Sequence, residues 1–188
     1  MTSMTTLPRI GLSAVLLAAV LGLAAPAQIK SFTLAEMVQT ADSAVYGQIV
    51  ASHVIRVDSA VDGPELYYTT LTLQGRTLAD NRPITVDVTF RGGFTSPTEG
   101  VFNSEAPAAD DVQVGKRVVA FYRWSDDLGG GVAANALVAA HGGIYRTVEG
   151  PSGPAVLGRG AGYAVGANVR LEQLASAVNL LASNKPKR

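Results

Sequence analysis

The chain has 188 residues, 15 basic against 15 acidic, with 47% hydrophobic residues and no cysteine. This length suits one domain with a core of its own and no disulfide staples. The lack of cysteine excludes thiol catalysis, thiolate metal sites and redox chemistry, and the balanced charge gives no electrostatic basis for binding nucleic acid or an anionic membrane.

Residues 1–27 carry the three-part pattern of a secretory signal peptide. Met1–Arg9 is polar with one base, Ile10–Ala25 is apolar, and Ala25-Pro26-Ala27 places small residues at the −3 and −1 positions of a cleavage site. The apolar run is shorter than the ~20 residues that span a bilayer. Cleavage after Ala27 is therefore expected rather than a retained anchor, giving a secreted or periplasmic product with no membrane span. Only Arg9 of the basic residues lies in this leader, so the remainder carries one acid in excess.

A single β-barrel domain is expected over 28–184, with a frayed basic tail at 185–188. Thr33-Leu-Ala-Glu36 is a capping box, and Leu34, Met37, Val38 and Ala41 share a face, which predicts a short helix from Leu34 to Ala41. A long strand follows to Val57, its core parity Val45, Gly47, Ile49, Ala51, His53 and Ile55, with a bend or bulge near Gly47 or Ala51. After a polar connection at 58–65, Leu66–Leu78 is the return strand of a hairpin. Asn81-Arg82-Pro83 turns into Ile84–Phe90, the cleanest alternation in the chain.

Gly92–Val112 reads as a long irregular insertion, and loops of that length are usually functional or mobile. Val114–Trp124, with the unbroken apolar run Val118–Tyr122, reads as the central strand, buried on both faces. A wide turn at 125–131 leads to strands Val132–Ala140 and Ile144–Val148, broken at His141-Gly142-Gly143. Gly150–Gly166 reads as a Gly/Pro-rich surface loop. Asn168 is the expected cap of a final amphipathic helix with Leu171, Leu174, Val178 and Leu181 inward. The expected fold class is mainly β: a small, closed or nearly closed antiparallel barrel of about six strands flanked by a short N-terminal and a C-terminal helix.

Chemistry-bearing residues are sparse. Arg91-Gly92-Gly93 could bring backbone amides and a guanidinium to an anion, although glycine pairs usually mark turns. His53 and His141 are the only histidines; His53 is expected as a hydrogen-bonded core residue by parity, or beside a bulge, and His141 exposed in a turn. A joint metal site is not expected from so few ligands. Asp58/Asp62/Glu65, Asp110/Asp111 and Asp126/Asp127 lack calcium-loop spacing and read as solvated turns. Gly158-Arg-Gly-Ala-Gly162 breaks the dinucleotide pattern at Val165, and Gly150-Pro-Ser152-Gly-Pro154 misses the nucleophile elbow. Tyr67, Tyr68, Phe121, Tyr122 and Trp124 lack the basic groove of a nucleic-acid stacking platform and read as core and rim packing.

Four short motifs carry a resemblance. They are Leu34-Ala-Glu-Met-Val with Ala41-Asp-Ser-Ala-Val-Tyr-Gly-Gln-Ile-Val, Arg91-Gly92-Gly93, Gly115-Lys-Arg-Val118-Val-Ala-Phe121, and Gly143-Ile-Tyr-Arg146. Together the chain resembles a family of secreted bacterial proteins of uncharacterised function. That resemblance implies an OB-like barrel similar to the fold of tissue inhibitors of metalloproteinases. The inhibitors act through an N-terminal cysteine on zinc, which this chain lacks.

The expectation is an exported, non-catalytic module that binds a protein or envelope polysaccharide through its loops, with Arg91, Gly92, Gly93 and His141 as candidate binding residues. No cofactor, resident metal or catalytic residue is expected. The alternatives are a hydrolase or metal-dependent enzyme built from loop Asp and His residues, and a structural envelope component.

Overall fold

The computed structural model describes residues 31–58 and 63–185. The expected leader, part of the 58–65 connection and the last three residues of the basic tail lie outside the described residues. Ser31–Arg188 forms one compact unit.

The capping box is present: Thr33 Oγ1 accepts from Glu36 N at 3.2 Å, and Glu36 Oε2 accepts from Thr33 N at 2.8 Å. It starts α1 (Leu34–Thr40), which buries Met37 and Val38. The long strands β1 (Ser43–Val57), β2 (Leu66–Thr77) and β3 (Pro83–Arg91) form an antiparallel meander. A short hairpin of β4 (Gly93–Ser96) and β5 (Glu99–Val101) and a 3₁₀ turn at Ala109–Asp111 lead into β6 (Arg117–Ser125) and β7 (Ala134–Leu137). The chain then runs through β8 (Ile144–Gly150), β9 (Gly153–Val156), β10 (Val169–Arg170) and α2 (Leu171–Ser183).

Strand order β1-β2-β3-β7-β6 returns to β1, so these five strands close an OB-like barrel. Neighbours in a ring of five cannot all run antiparallel, and the exception is β3 with β7, joined in parallel through Thr89 and Ala136. Asn135 Nδ2 reinforces this seam by donating to the Asp87 carbonyl at 3.0 Å. β6 is the most connected strand. It meets β1 along one edge and both β7 and β8 along the other. Its run Val118–Tyr122 is buried throughout, as a strand with two covered faces requires.

Two cores result. Val45, Ile49, Leu71, Leu73, Val88, Val118, Ala120 and Ile144 fill the barrel. Met37, Val38, Phe121, Tyr145, Val156, Leu174 and Val178 form the second, between the helices and the outer face of β6, β8 and β9. Tyr67, Tyr68, Phe121 and Tyr122 are buried, and Trp124 is 54% exposed at the rim, where its indole N–H donates to Asp126.

Several expectations are corrected. Ile49 pairs with Leu73 but Ala51 with Thr72, so the bulge expected near Gly47 or Ala51 falls at Val50, which is unpaired and reverses the parity of the rest of β1. His53 is therefore exposed, not in the core. The insertion 92–112 is not irregular throughout, since it contains the β4–β5 hairpin. The strand expected over Val132–Ala140 is only Ala134–Leu137, because Ala139 and Ala140 adopt left-handed φ of 53° and 49°. β9 emerges from the supposed loop 150–166 and pairs with β8. Asn168 does not cap α2; Arg170 occupies the N-cap, and Asn168 Oδ1 accepts from Gly158 N. Lys185 is docked, with Nζ donating to the Ala41 carbonyl.

Candidate functional site

The loops converge where β3 leaves the barrel. Gly92 (φ +96°) and Gly93 (φ +138°) bend the chain through angles that side chains resist, and both are closely packed. A Cβ at Gly92 would lie 2.8 Å from that of Asn103, and one at Gly93 would strike Thr69 Oγ1. Thr69 Oγ1 donates to the Gly92 carbonyl at 2.7 Å, and Asn103 Nδ2 to the Arg91 carbonyl at 3.0 Å. The glycines thus serve a tight turn.

Arg91 points elsewhere. Its Nε donates to the Leu128 carbonyl at 3.0 Å, and Nη2 reaches the same oxygen. Tyr68 Oη donates to that carbonyl at 2.8 Å and lies 3.0 Å from the Gly129 carbonyl. The guanidinium therefore holds the β6–β7 turn instead of facing a ligand.

The β4–β5 hairpin is fastened to the barrel by charge. Glu99 on β5 meets Arg56 Nη1 at 3.2 Å, and Arg56 also pairs with Glu65. Hydrogen bonds from Tyr67 and then Arg56 hold the Glu65 carboxyl below its ordinary range, while Arg56 is raised chiefly by its bond to Glu65. Burial, followed by the contact with Glu65, raises Tyr67.

Between this hairpin and the chain after it lies a cleft of about 510 Å³, within the ~300–1,000 Å³ of ordinary ligand sites. Phe90, Phe94, Val101, Phe102, Pro107 and Val112 give it a largely apolar wall; Asn103, His141 and Arg159 stand among its polar lining. Phe94 is 52% exposed and Phe102 81% exposed.

His141 is part of the cleft wall, and both ring nitrogens are engaged. Nδ1 lies 3.1 Å from the Glu105 carbonyl and Nε2 lies 3.0 Å from Tyr163 Oη. A carbonyl only accepts, so Nδ1 carries the proton, and in the neutral ring Nε2 accepts from the phenol. No carboxylate orients the ring, so the acid–histidine pair of a hydrolase is not formed here. Asp111 is buried at 7% exposure between Arg146 at 2.9 Å and Arg159 at 2.7 Å, against the expectation of a solvated turn. It and His141 tie the loop 92–112 to the loop 157–166.

Of the expected site residues, Gly93 and His141 line the cleft, whereas Gly92 and Arg91 do not. His53 takes no part in its lining. Among the described residues no group of three or more His, Asp or Glu side chains is placed to hold a metal, and no helix is long and apolar enough to cross a membrane. Sequence reasoning overlooked Phe94 and Phe102, although two aromatics within a polar loop are themselves a signal of an exposed apolar surface. Comparison with protein-family models, curated proteins and solved structures gives no match.

Proposed function

We propose that this chain is an exported, non-catalytic binding module that takes an apolar segment of a partner protein into the cleft beneath Phe94 and Phe102. The observation that carries the reading is the exposure of these two rings around an apolar cavity. Exposed aromatics beside a pocket match the anchors of protein interfaces more than the enclosed walls of a small-molecule site. The charged network Arg56–Glu65–Glu99 adjoins the hairpin and supplies the polar rim such interfaces carry. His141 has both ring nitrogens bonded, to the Glu105 carbonyl and to Tyr163, which favours a structural part of the cleft over a general base.

The test is selection of phage-displayed peptides on the purified chain, followed by calorimetry. Enriched peptides should carry aromatic or aliphatic anchors, and Phe94→Ser with Phe102→Ser should weaken them at least about tenfold with little change in melting midpoint. Failure to enrich such peptides, or binding indifferent to both substitutions, would overturn the reading.

A further inference from the structure

A second groove, of about 630 Å³, shares no lining residue with the apolar cleft. It lies across four adjacent strands, near the β2–β3 turn. The ladder places Arg117 on β6 opposite Gln48 on β1, Gln48 opposite Gln74 on β2, and Gln74 opposite Thr85 on β3. These four side chains therefore form a straight row with steps of about 4.8 Å. A parallel row sets Tyr46 opposite Arg76, and Arg76 opposite Pro83. Gly47 and Gly75 lie between the rows, where an added Cβ on Gly75 would collide with the Tyr46 carbonyl.

The chemistry of this lining is selective. It holds two guanidinium groups, two primary amides and two hydroxyls, those of Tyr46 and Thr85, and no carboxylate. Gln48 donates one bond, to the Gly115 carbonyl at 3.2 Å, and Arg76 one, to the Asn81 carbonyl at 3.0 Å, leaving most of their donors and acceptors facing out. Among the described residues Arg117 has no ion pair within 4.0 Å. Contact with the Tyr46 hydroxyl, and secondarily the field of Glu149, raises its pKa. The Tyr46 hydroxyl is buried and makes no hydrogen bond of ordinary geometry.

We propose that this groove binds an acidic polysaccharide strand, with Arg76 and Arg117 taking its carboxylates and Gln48, Gln74 and Thr85 its hydroxyls. A guanidinium matches the planar carboxylate with paired hydrogen bonds. Amides can donate to and accept from sugar hydroxyls, and the strand spacing approximates the length of one sugar residue. The groove's one aromatic, Tyr46, is half-buried with its hydroxyl inward, and a single ring with two cations disfavours single-stranded nucleic acid.

The experiment is an NMR and calorimetric titration of the purified chain with a short oligogalacturonate, its neutral methyl ester and an oligothymidylate. The acid form should shift the amides of 46–48, 74–76, 83–85 and 117, and its affinity should fall as salt rises. Arg76→Gln with Arg117→Gln should weaken it about tenfold or more. Both side chains are exposed, so an unchanged melting midpoint would verify folding. Phe102→Ser should leave this titration unaltered, which separates the groove from the apolar cleft. Equal binding of the methyl ester, shifts confined to other residues, tighter binding of the oligothymidylate, or no binding of the acid form would each overturn the proposal.

Discussion

Arg159 Nη2 donates to Asp111 Oδ2 at 2.7 Å, joining residues 48 positions apart and pinning two loops beside the apolar cleft. Arg146 holds the other carboxylate oxygen, so one buried acid serves two bases. Removing the acid leaves two guanidinium groups facing each other. Both can still reach water, which moderates the cost. Asp111→Ala should destabilise the fold by about 2 kcal/mol and lower the melting midpoint by roughly 4–8 °C. A double-mutant cycle with Arg159→Ala should show non-additivity, and strict additivity would mean the pair is not coupled.

The β6–β7 turn hangs on two donors, Arg91 and Tyr68, that converge on the Leu128 carbonyl. Tyr68 is fully buried, so Tyr68→Phe should cost about 1–2 kcal/mol in urea unfolding. The more exposed Arg91→Ala should cost about 1 kcal/mol. If Arg91 instead served an anion, millimolar phosphate would raise the midpoint of the native chain and leave that of Arg91→Ala unmoved. No phosphate shift is expected in either.

Glycines that look alike in sequence differ sharply in what surrounds them. At Gly75 a Cβ would meet backbone atoms of Tyr46 and Gly47, whereas at Gly115 (φ +94°) nothing lies within 4 Å. Gly75→Ala must push two strands apart and should cost about 3 kcal/mol. Gly115→Ala adds only left-handed strain, about 1 kcal/mol. Denaturant midpoints measured side by side should rank them in this order.

Tyr145 makes the fold sensitive to alkali. Burial is the main cause that lifts its hydroxyl above the ordinary phenol pKa, while bonds from the Val165 and Ala164 amides and the charge of Arg159 oppose this. A group with a raised folded pKa contributes stability that is complete below the unfolded value, about 10, and is lost as pH rises through the folded one. Urea midpoints should hold steady up to about pH 10 and then decline. Tyr145→Phe should flatten part of that decline, and an unchanged alkaline limb would refute the assignment.

The sequence was informative wherever pattern and environment coincide. The capping box at Thr33, the alternation from Ile84 to Phe90 and the apolar run Val118–Tyr122 each state their element directly, and the mainly β class follows from them, while the OB-like form is what the resemblance implies. Val50 marks where that reasoning ends. A single unpaired residue reverses every later side chain of β1, and the sequence places the bulge only as near Gly47 or Ala51, so parity alone leaves the face of His53 open. The short strand β9 was hidden for a different reason: its four residues fold straight back on β8 after Pro151-Ser152, and a Gly/Pro-rich run that short shows no periodicity of its own. At the cleft, Gly93 and His141 were visible as unusual residues. Tyr163, which bonds His141, and Arg159, which bonds Asp111, come from a loop that only the folded chain brings near.

An odd number of strands has a mechanical consequence. β1 and β2 zip together along their whole length, but β3 meets β7 at a single parallel bridge, Thr89 with Ala136, backed by the amide of Asn135. The barrel is thus a bracelet with one clasp. Transient opening should begin at that clasp, so the amide protons of β7 should exchange with deuterated water sooner than those of β1 and β2.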